Sequence, residues 1–182
     1  MQREAKKAKL NQLPVDGIDT SAVKLPRVEL VNFVVSKARE VGYVIVRSPP
    51  STGKTSLLDL VRDHVIEGSG QVCRISGIDE SNSNELFEEL EAELGEPRRN
   101  LLKKQTTEDD IWILVDDAQL SFGKAYDSFW NFLMKRLANV KNSGVKVVIA
   151  ATYDLVSQGS TPVWFGNYPH TPDLRLAESE ST

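Results

Sequence analysis

The sequence is poor in the residues that build disulfide frameworks and metal centres. It has one cysteine, two histidines and two methionines in 182 residues. A single cysteine cannot form an internal disulfide, so we expect Cys73 to be a small core residue and see no sign of an oxidising compartment. His64 has no second histidine or cysteine at metal-ligand spacing, and we expect it to be a partly buried structural residue.

Long apolar runs and a strong excess of one charge are also missing. No stretch approaches the roughly 18 apolar residues needed to span a bilayer, and the N-terminus has no apolar signal-peptide core. The 22 basic and 26 acidic residues give a net charge of -4, which provides no general attraction to nucleic acid or to an anionic membrane. We therefore expect a soluble intracellular protein, cytoplasmic or nuclear, without a membrane partner.

The order of the apolar patterns predicts one α/β domain. Residues 1–25 are expected to form a basic, irregular arm, and residues 26–182 the core domain. Apolar runs typical of buried strands alternate with the wider spacing of amphipathic helices. This alternation is typical of a three-layer fold with a parallel sheet. The predicted strands cover residues 43–46, 71–76, 111–115 and 145–150.

The helices between these strands have recognisable ends. Glycines at positions 42 and 68 are placed to end the first two helices, and Asn82 is placed to begin the third. The predicted helices cover residues 28–41, 55–67, 82–94 and 126–140. One basic cluster in the body of the chain is expected to be a solvated linker; it consists of Arg98, Arg99, Lys103 and Lys104.

A phosphate-binding loop is predicted directly behind the first strand. Residues 48–55 read Ser-Pro-Pro-Ser-Thr-Gly-Lys-Thr, which matches the G-x-x-x-x-G-K-[ST] pattern except at its first glycine. A loop that opens a helix directs backbone N–H groups and the positive end of the helix dipole at one point, where phosphate oxygens bind. Lys54 is predicted to contact the β and γ phosphates and Thr55 to hold Mg2+. The alternative is a strand-turn-helix without a ligand. The predicted nucleotide-binding residues are Ser48, Pro49, Pro50, Ser51, Thr52, Gly53, Lys54, Thr55 and Ser56.

Two adjacent carboxylates follow the third strand. Residues 111–117 read Ile-Trp-Ile-Leu-Val-Asp-Asp, five apolar residues and then two acids. Ligands gather at the carboxyl ends of buried parallel strands. Asp116 is therefore predicted to reach the Mg2+ shell, usually through water, and Asp117 to accept a proton from an attacking water. The alternative is a buried strand that ends in a solvated turn.

The loop and the paired acids resemble those of AAA+ and STAND-type ATPases, whose loop often reads Gly-Pro-Pro-Gly-Thr-Gly-Lys-Thr. No Asn-Lys-x-Asp element follows the fourth strand, which favours ATP over GTP. The resemblance implies the strand order 5-1-4-3-2 and a polar sensor residue at Thr152, which would orient the lytic water. Gln119 is a weaker candidate for the same neighbourhood. Residues 173–180 look like the fifth strand and the opening of a helical lid, so the lid itself is expected to be absent from this chain.

A narrower resemblance is to the ATPase module of Crinkler-type proteins of oomycetes and fungi. It would span about residues 23 to 180. The segments that carry it are Tyr43 to Pro50, Lys54 to Leu57, Ala150 to Tyr153, and Thr161-Pro162.

The resulting hypothesis is an ATP-binding, Mg2+-dependent NTPase domain that works as a switch or motor and hydrolyses slowly. Ser48 and Ser51 stand where glycine is common, and a positive φ at either would weaken binding about tenfold through roughly 1 to 2 kcal/mol of strain. Asp117 is shorter than the usual glutamate, which also favours slow hydrolysis. The alternatives are a vestigial nucleotide module that acts through protein partners, and a phosphotransferase. The partners considered besides nucleotide are a second copy of the chain and another protein. No arginine finger is assigned among Arg98, Arg99 and Arg175, and the charge does not support nucleic-acid binding.

Overall fold

The computed structural model describes residues 27–76, 82–104, 110–138 and 143–152. Apolar runs form its strands and amphipathic segments form its helices, as the sequence predicts. The helices are α1 (Val28–Val41), α2 (Lys54–Glu67), α3 (Ser83–Leu94), α4 (Arg98–Leu101) and α5 (Asp127–Trp130), which continues as a π-helix over Asn131–Ala138. The strands are β1 (Tyr43–Ser48), β2 (Gln71–Ser76), β3 (Ile111–Asp116) and β4 (Val145–Thr152).

The four described strands form one parallel sheet in the order β1-β4-β3-β2. This matches the predicted order 1-4-3-2, while the predicted fifth strand and the lid lie outside the described residues. The register places Ser48 beside Thr152 and Ser76 beside Asp116. Because the strands are parallel, their carboxyl ends lie along one edge of the sheet, and the predicted site residues lie along that edge.

Alternate residues of each strand build two separate cores, which confirms the three-layer arrangement. On one face, Val46, Leu114 and Val148 pack with the buried sides of α1 and α2. On the other face, Ile113 and Ile149 pack with α3, α5 and the π-helix. Cys73 lies in this second core and is fully buried, as expected. Within the described residues, no helix combines the length and apolar character needed to cross a membrane.

Local chemistry explains most of the helix ends. Gly42 ends α1 in the left-handed conformation at φ 89°. The Asn82 side chain accepts hydrogen bonds from the N–H groups of Asn84 and Glu85 at the start of α3. Helix α2 begins one residue earlier than predicted, and the left-handed residue after it is Ser69 rather than Gly68.

Two expectations about side chains were wrong. His64 is exposed, because Val61 and Val65 occupy the buried side of α2 and His64 lies outside that stripe. The expectation of a solvated basic cluster was wrong at Arg98, which begins the short helix α4 and whose guanidinium lies 3.9 Å from the centre of the Phe87 ring. This is a cation–π contact between the guanidinium and an aromatic ring of α3. The other three residues of the cluster are exposed, as expected.

The predicted helix over residues 126–140 is not one regular α-helix. After Tyr126 a single α-helical turn passes into eight residues of π-helix. The predicted apolar positions Phe129, Trp130, Leu133 and Leu137 are nevertheless buried together, and Val140 lies outside the described residues. The predicted burial of the apolar face is therefore confirmed, whereas the predicted regular α-helical geometry is not.

Candidate functional site

Two residues of the loop between β1 and α2 have a left-handed backbone conformation, one a glycine and the other a serine. Gly53 adopts a left-handed conformation at φ 83° immediately before Lys54, the first residue of α2. Ser51 also has a positive φ, 58°, whereas Ser48 belongs to β1 and does not. The predicted backbone strain is therefore present at Ser51 and absent at Ser48. A residue with a Cβ atom costs roughly 1 to 2 kcal/mol in this conformation.

The side chain of Ser48 makes a hydrogen bond within the loop that a glycine could not make. Its hydroxyl oxygen lies 2.6 Å from that of Thr52, and the Thr52 hydroxyl also lies 2.9 Å from the Pro49 carbonyl oxygen. A threonine hydroxyl has one proton, so when Thr52 donates to Pro49 the Ser48 hydroxyl donates to Thr52. Ser48 is buried, and this pair of hydroxyls holds the two ends of the loop together.

Lys54 lies inside the loop rather than in solvent. Its ammonium Nζ donates to the carbonyl oxygens of Ser48 at 3.1 Å and Pro49 at 2.7 Å, and the residue is only 7% exposed. Burial lowers the pKa of Lys54 below its ordinary value, and the negative charges of Asp117 and Asp116 partly oppose that shift. The backbone carbonyls and these two acids therefore retain a positive charge at the mouth of the loop.

A cavity of about 340 Å3 opens over the start of α2. That volume is within the range of small-molecule sites. Its lining residues come from the loop, the first turn of α2 and the ends of β3 and β4: Pro50, Ser51, Gly53, Lys54, Thr55, Ser56, Asp117 and Thr152. The predicted residues Ser48, Pro49, Thr52 and Asp116 do not line it. Ser48, Pro49 and Thr52 instead make hydrogen bonds within the loop.

Asp116 is buried and both of its carboxylate oxygens accept hydrogen bonds. Oδ1 accepts from the Asp117 N–H at 3.0 Å, and Oδ2 accepts from Nη2 of Arg74 at 2.8 Å. The other terminal nitrogen of Arg74, Nη1, donates to Asp59 of α2 at 2.7 Å. Asp59 is itself 4% exposed, so one arginine bridges two buried carboxylates.

Sequence reasoning missed Arg74 and Asp59. The signals were a charged residue between Cys73 and Ile75 in the second strand, and an acid four residues after Thr55 on the same side of α2. Neither pattern identifies a partner, because Arg74 and Asp116 are 42 residues apart.

Gln119 connects the ends of β3 and β4. Its amide nitrogen donates to Oδ1 of Asp117 at 3.1 Å, and its amide oxygen accepts from the backbone N–H of Thr152 at 2.8 Å. Asp117 has a φ of 45°, a left-handed conformation that aspartate tolerates better than most residues. The structure thus brings Asp117, Gln119 and Thr152 together, as the sequence suggested, with Gln119 in a more central place than expected.

The donor atoms suit a hard divalent cation better than a transition metal. Thr55 lines the cavity, and Asp116 and Asp117 add carboxylate oxygens near it. Among the described residues, no group of three or more His, Cys, Asp or Glu side chains forms a metal cage. Mg2+ commonly takes only one or two protein oxygens and completes its shell with phosphate and water. The residues therefore fit Mg2+ that arrives with a phosphate ligand.

Comparison with known proteins identifies the fold. No protein-family model matches the sequence, and no curated protein matches it. The chain is similar to the solved ORC2 protein of Aeropyrum pernix (ADPNP-ADP complexes), with a TM-score of 0.52 and 11% identity over 74% of this chain and 43% of that one. A mutant RuvB of Thermotoga maritima aligns with a TM-score of 0.44 and 14% identity over 77% of this chain and 42% of that one.

The likeness to ORC2 shows the fold and nothing further. The described residues have the α/β parallel-sheet fold of P-loop NTPases. It spans less than half the length of either solved chain. Its ligand, activity and partners therefore have to be inferred from its own residues.

Proposed function

We propose that this chain is an ATP-binding, Mg2+-dependent NTPase domain that hydrolyses slowly and serves as a switch or motor module. The observation that carries the proposal is the convergence of Lys54, Thr55, Asp117 and Thr152 on one cavity at the carboxyl edge of a parallel sheet. These residues come from a helix start and two strand ends, and each has the chemistry that phosphoryl transfer requires.

Phosphate binding would use the loop and Lys54. The N–H groups at the start of α2 point along the helix axis, where the helix dipole favours negative charge. The Lys54 ammonium lies beside the same opening, where phosphate oxygens would take the place of the carbonyls of Ser48 and Pro49 as its acceptors. Phosphate binding there would also offset the cost of burying the ammonium group, because removing a charge from water costs less free energy when the charge is paired.

Hydrolysis would use the two acids and the end of β4. Thr55, with Asp116 through water, would hold Mg2+, which neutralises charge on the phosphate oxygens. Asp117 would accept a proton from water as the water oxygen bonds to the γ phosphorus and the bond to the β–γ bridging oxygen breaks. Thr152 lines the cavity beside Asp117 and would orient that water, while Gln119 keeps the two strand ends in register.

Slow turnover follows from the same geometry. The shorter Asp117 reaches less far than a glutamate, and Gln119 engages its Oδ1. The strain at Ser51 would weaken nucleotide binding, and an arginine finger supplied by a partner would raise the rate of hydrolysis by about 10^3 to 10^5. ATP is proposed over GTP because the sequence lacks an Asn-Lys-x-Asp element. Self-assembly, a protein partner and membership of the Crinkler-type ATPases remain proposals of the same kind.

One observation favours a second function, a nucleotide module that binds without turnover and acts through a protein partner. Arg74 already occupies Oδ2 of Asp116, the carboxylate proposed to reach the metal shell. A domain that binds nucleotide but shows no Mg2+-dependent hydrolysis would support this reading.

The first experiment is thermal unfolding with ATP and Mg2+, with GTP and Mg2+, and without nucleotide. ATP at 100 times its Kd should stabilise the folded state by about 2.7 kcal/mol, a Tm increase of roughly 5 to 10 °C for a domain of this size. Lys54→Ala should abolish the increase while the protein still unfolds cooperatively. Lys146→Ala is the matched control, because Lys146 is also buried and donates to a backbone carbonyl, that of Ser143. An equal ATP response in Lys54→Ala would refute the site assignment.

A further inference from the structure

We propose that Arg74 is a positioning residue that limits how much Mg2+ contributes to nucleotide binding, by holding Asp116 in an ion pair. The inference rests on the proposed function, because it concerns the metal that would accompany the nucleotide. It assigns a role to a residue of β2 that does not line the cavity.

The geometry gives Arg74 one well-defined conformation. Its two terminal nitrogens contact different carboxylates, Asp116 at 2.8 Å and Asp59 at 2.7 Å, and both acid side chains are 6% exposed. Arg74 lies on the face of β2 that is turned toward α2, as does Val72 two residues before it. A planar guanidinium that spans two fixed acceptors loses little further freedom when it binds them.

The position of this bridge relative to the metal-binding residues explains its effect. Asp59 follows Thr55 by four residues, so both lie on one side of α2. Asp116, the other end of the bridge, is the acid proposed to reach the metal shell. The guanidinium therefore contacts Oδ2 of the carboxylate that Mg2+ would use.

Electrostatics gives the direction of the effect. A cation within about 4 Å of a carboxylate weakens the binding of a second cation to it, commonly by tenfold or more when the pair is poorly solvated. We therefore expect wild-type protein to bind ATP with a modest advantage from Mg2+, and removal of the Arg74 charge to increase that advantage on the order of tenfold.

Arg62 offers a matched comparison. Its Nη1 also donates to Asp59, at 3.2 Å, and its other nitrogens contact Asp63. Arg62 is thus an arginine of the same ion-pair network whose described contacts do not include Asp116. If the effect came from the loss of a positive charge or of support for Asp59, substitution of either arginine would produce it. If it came from competition at Asp116, only substitution of Arg74 would produce it.

The test measures the Kd of ATP by calorimetry with excess EDTA and with excess Mg2+, and compares the ratio of the two values among variants. Arg74→Gln should raise the ratio of the Mg2+-free Kd to the Mg2+ Kd about tenfold. Arg62→Gln should stay near wild type. If Arg74→Gln fails to fold, the double variant Arg74→Gln with Asp59→Asn removes the unpaired acid and should show the same increase.

The outcomes separate this inference from the proposed function. Wild-type protein that binds no ATP under either condition would overturn the proposed function and the inference with it. ATP binding with an unchanged ratio in Arg74→Gln, or in the double variant, would overturn the inference and leave the function standing. An equal increase in Arg62→Gln would also overturn it, because the effect would then reflect the charge of the network and not competition at Asp116.

Discussion

Replacing Ser48 and Ser51 separately by glycine should change stability in opposite directions, although both changes restore the commoner loop sequence. The two serines are three residues apart and chemically identical. Their backbones differ: Ser51 is left-handed at φ 58°, and Ser48 is a strand residue. Their side chains differ as well, because Ser48 is buried against the Thr52 hydroxyl and Ser51 is exposed.

The magnitudes follow from these contacts. In Ser51→Gly, relief of roughly 1 to 2 kcal/mol of strain is partly offset by the greater freedom of glycine in the unfolded chain, which leaves a gain of about 0.5 to 1 kcal/mol. In Ser48→Gly, loss of one hydrogen bond, about 0.5 to 1.5 kcal/mol, adds to the cost of a flexible residue within a strand, for a loss of about 1 to 2 kcal/mol. With a urea m-value near 2 kcal/mol/M, the unfolding midpoints should rise by about 0.3 to 0.5 M and fall by about 0.5 to 1 M.

Urea unfolding followed by tryptophan fluorescence is a suitable assay, because Trp112 and Trp130 are both fully buried. Ser69→Gly is the matched control: Ser69 has a φ of 65° in the turn after α2, away from the cavity, and should gain about as much as Ser51→Gly without any effect on ATP binding. A midpoint that falls in Ser51→Gly, or one that does not fall in Ser48→Gly, would refute the account of the loop.

Two further predictions concern titration. Because burial lowers the pKa of Lys54, the unfolded state binds more protons than the folded state between that lowered pKa and the ordinary lysine value, so the free energy of unfolding should rise with pH across that window. Lys54→Met should lack this rise in urea titrations, and parallel curves would contradict it. Burial first, and then the charges of Glu93 and Glu89, raise the pKa of Cys73 to about 12, so a thiol reagent at mildly alkaline pH should label Cys73 only after the protein opens. Rapid labelling of the folded protein would show that the second core is not closed.

The elements and the general position of the site were predictable because they depend on short stretches of sequence. Runs of apolar residues form the buried strands, and the predicted bounds of β2 agree with the structure. Lys54, Asp117 and Thr152 could be assigned to one place because parallel strands bring their carboxyl ends to one edge. The predicted roles of these residues stay predictions, and so do the boundaries of the arm and the core domain.

Contacts between distant segments were not predictable from local pattern. The pairing of Arg74 with Asp116 and Asp59 depends on β2 lying next to β3 and on the face of β2 that is turned to α2. The position of Gln119 between Asp117 and Thr152 likewise depends on β4 lying next to β3.

By itself, the sequence determined the alternation of strands and helices, the loop and the acids at the strand ends, since each is written in consecutive residues. Only the tertiary structure decided which serine of the loop is strained, which residue faces solvent on α2, and which charge neutralises Asp116. The physical reason is that backbone strain, burial and ion pairing are properties of a position in space, and neighbouring positions in this sheet are supplied by residues tens of positions apart in the chain.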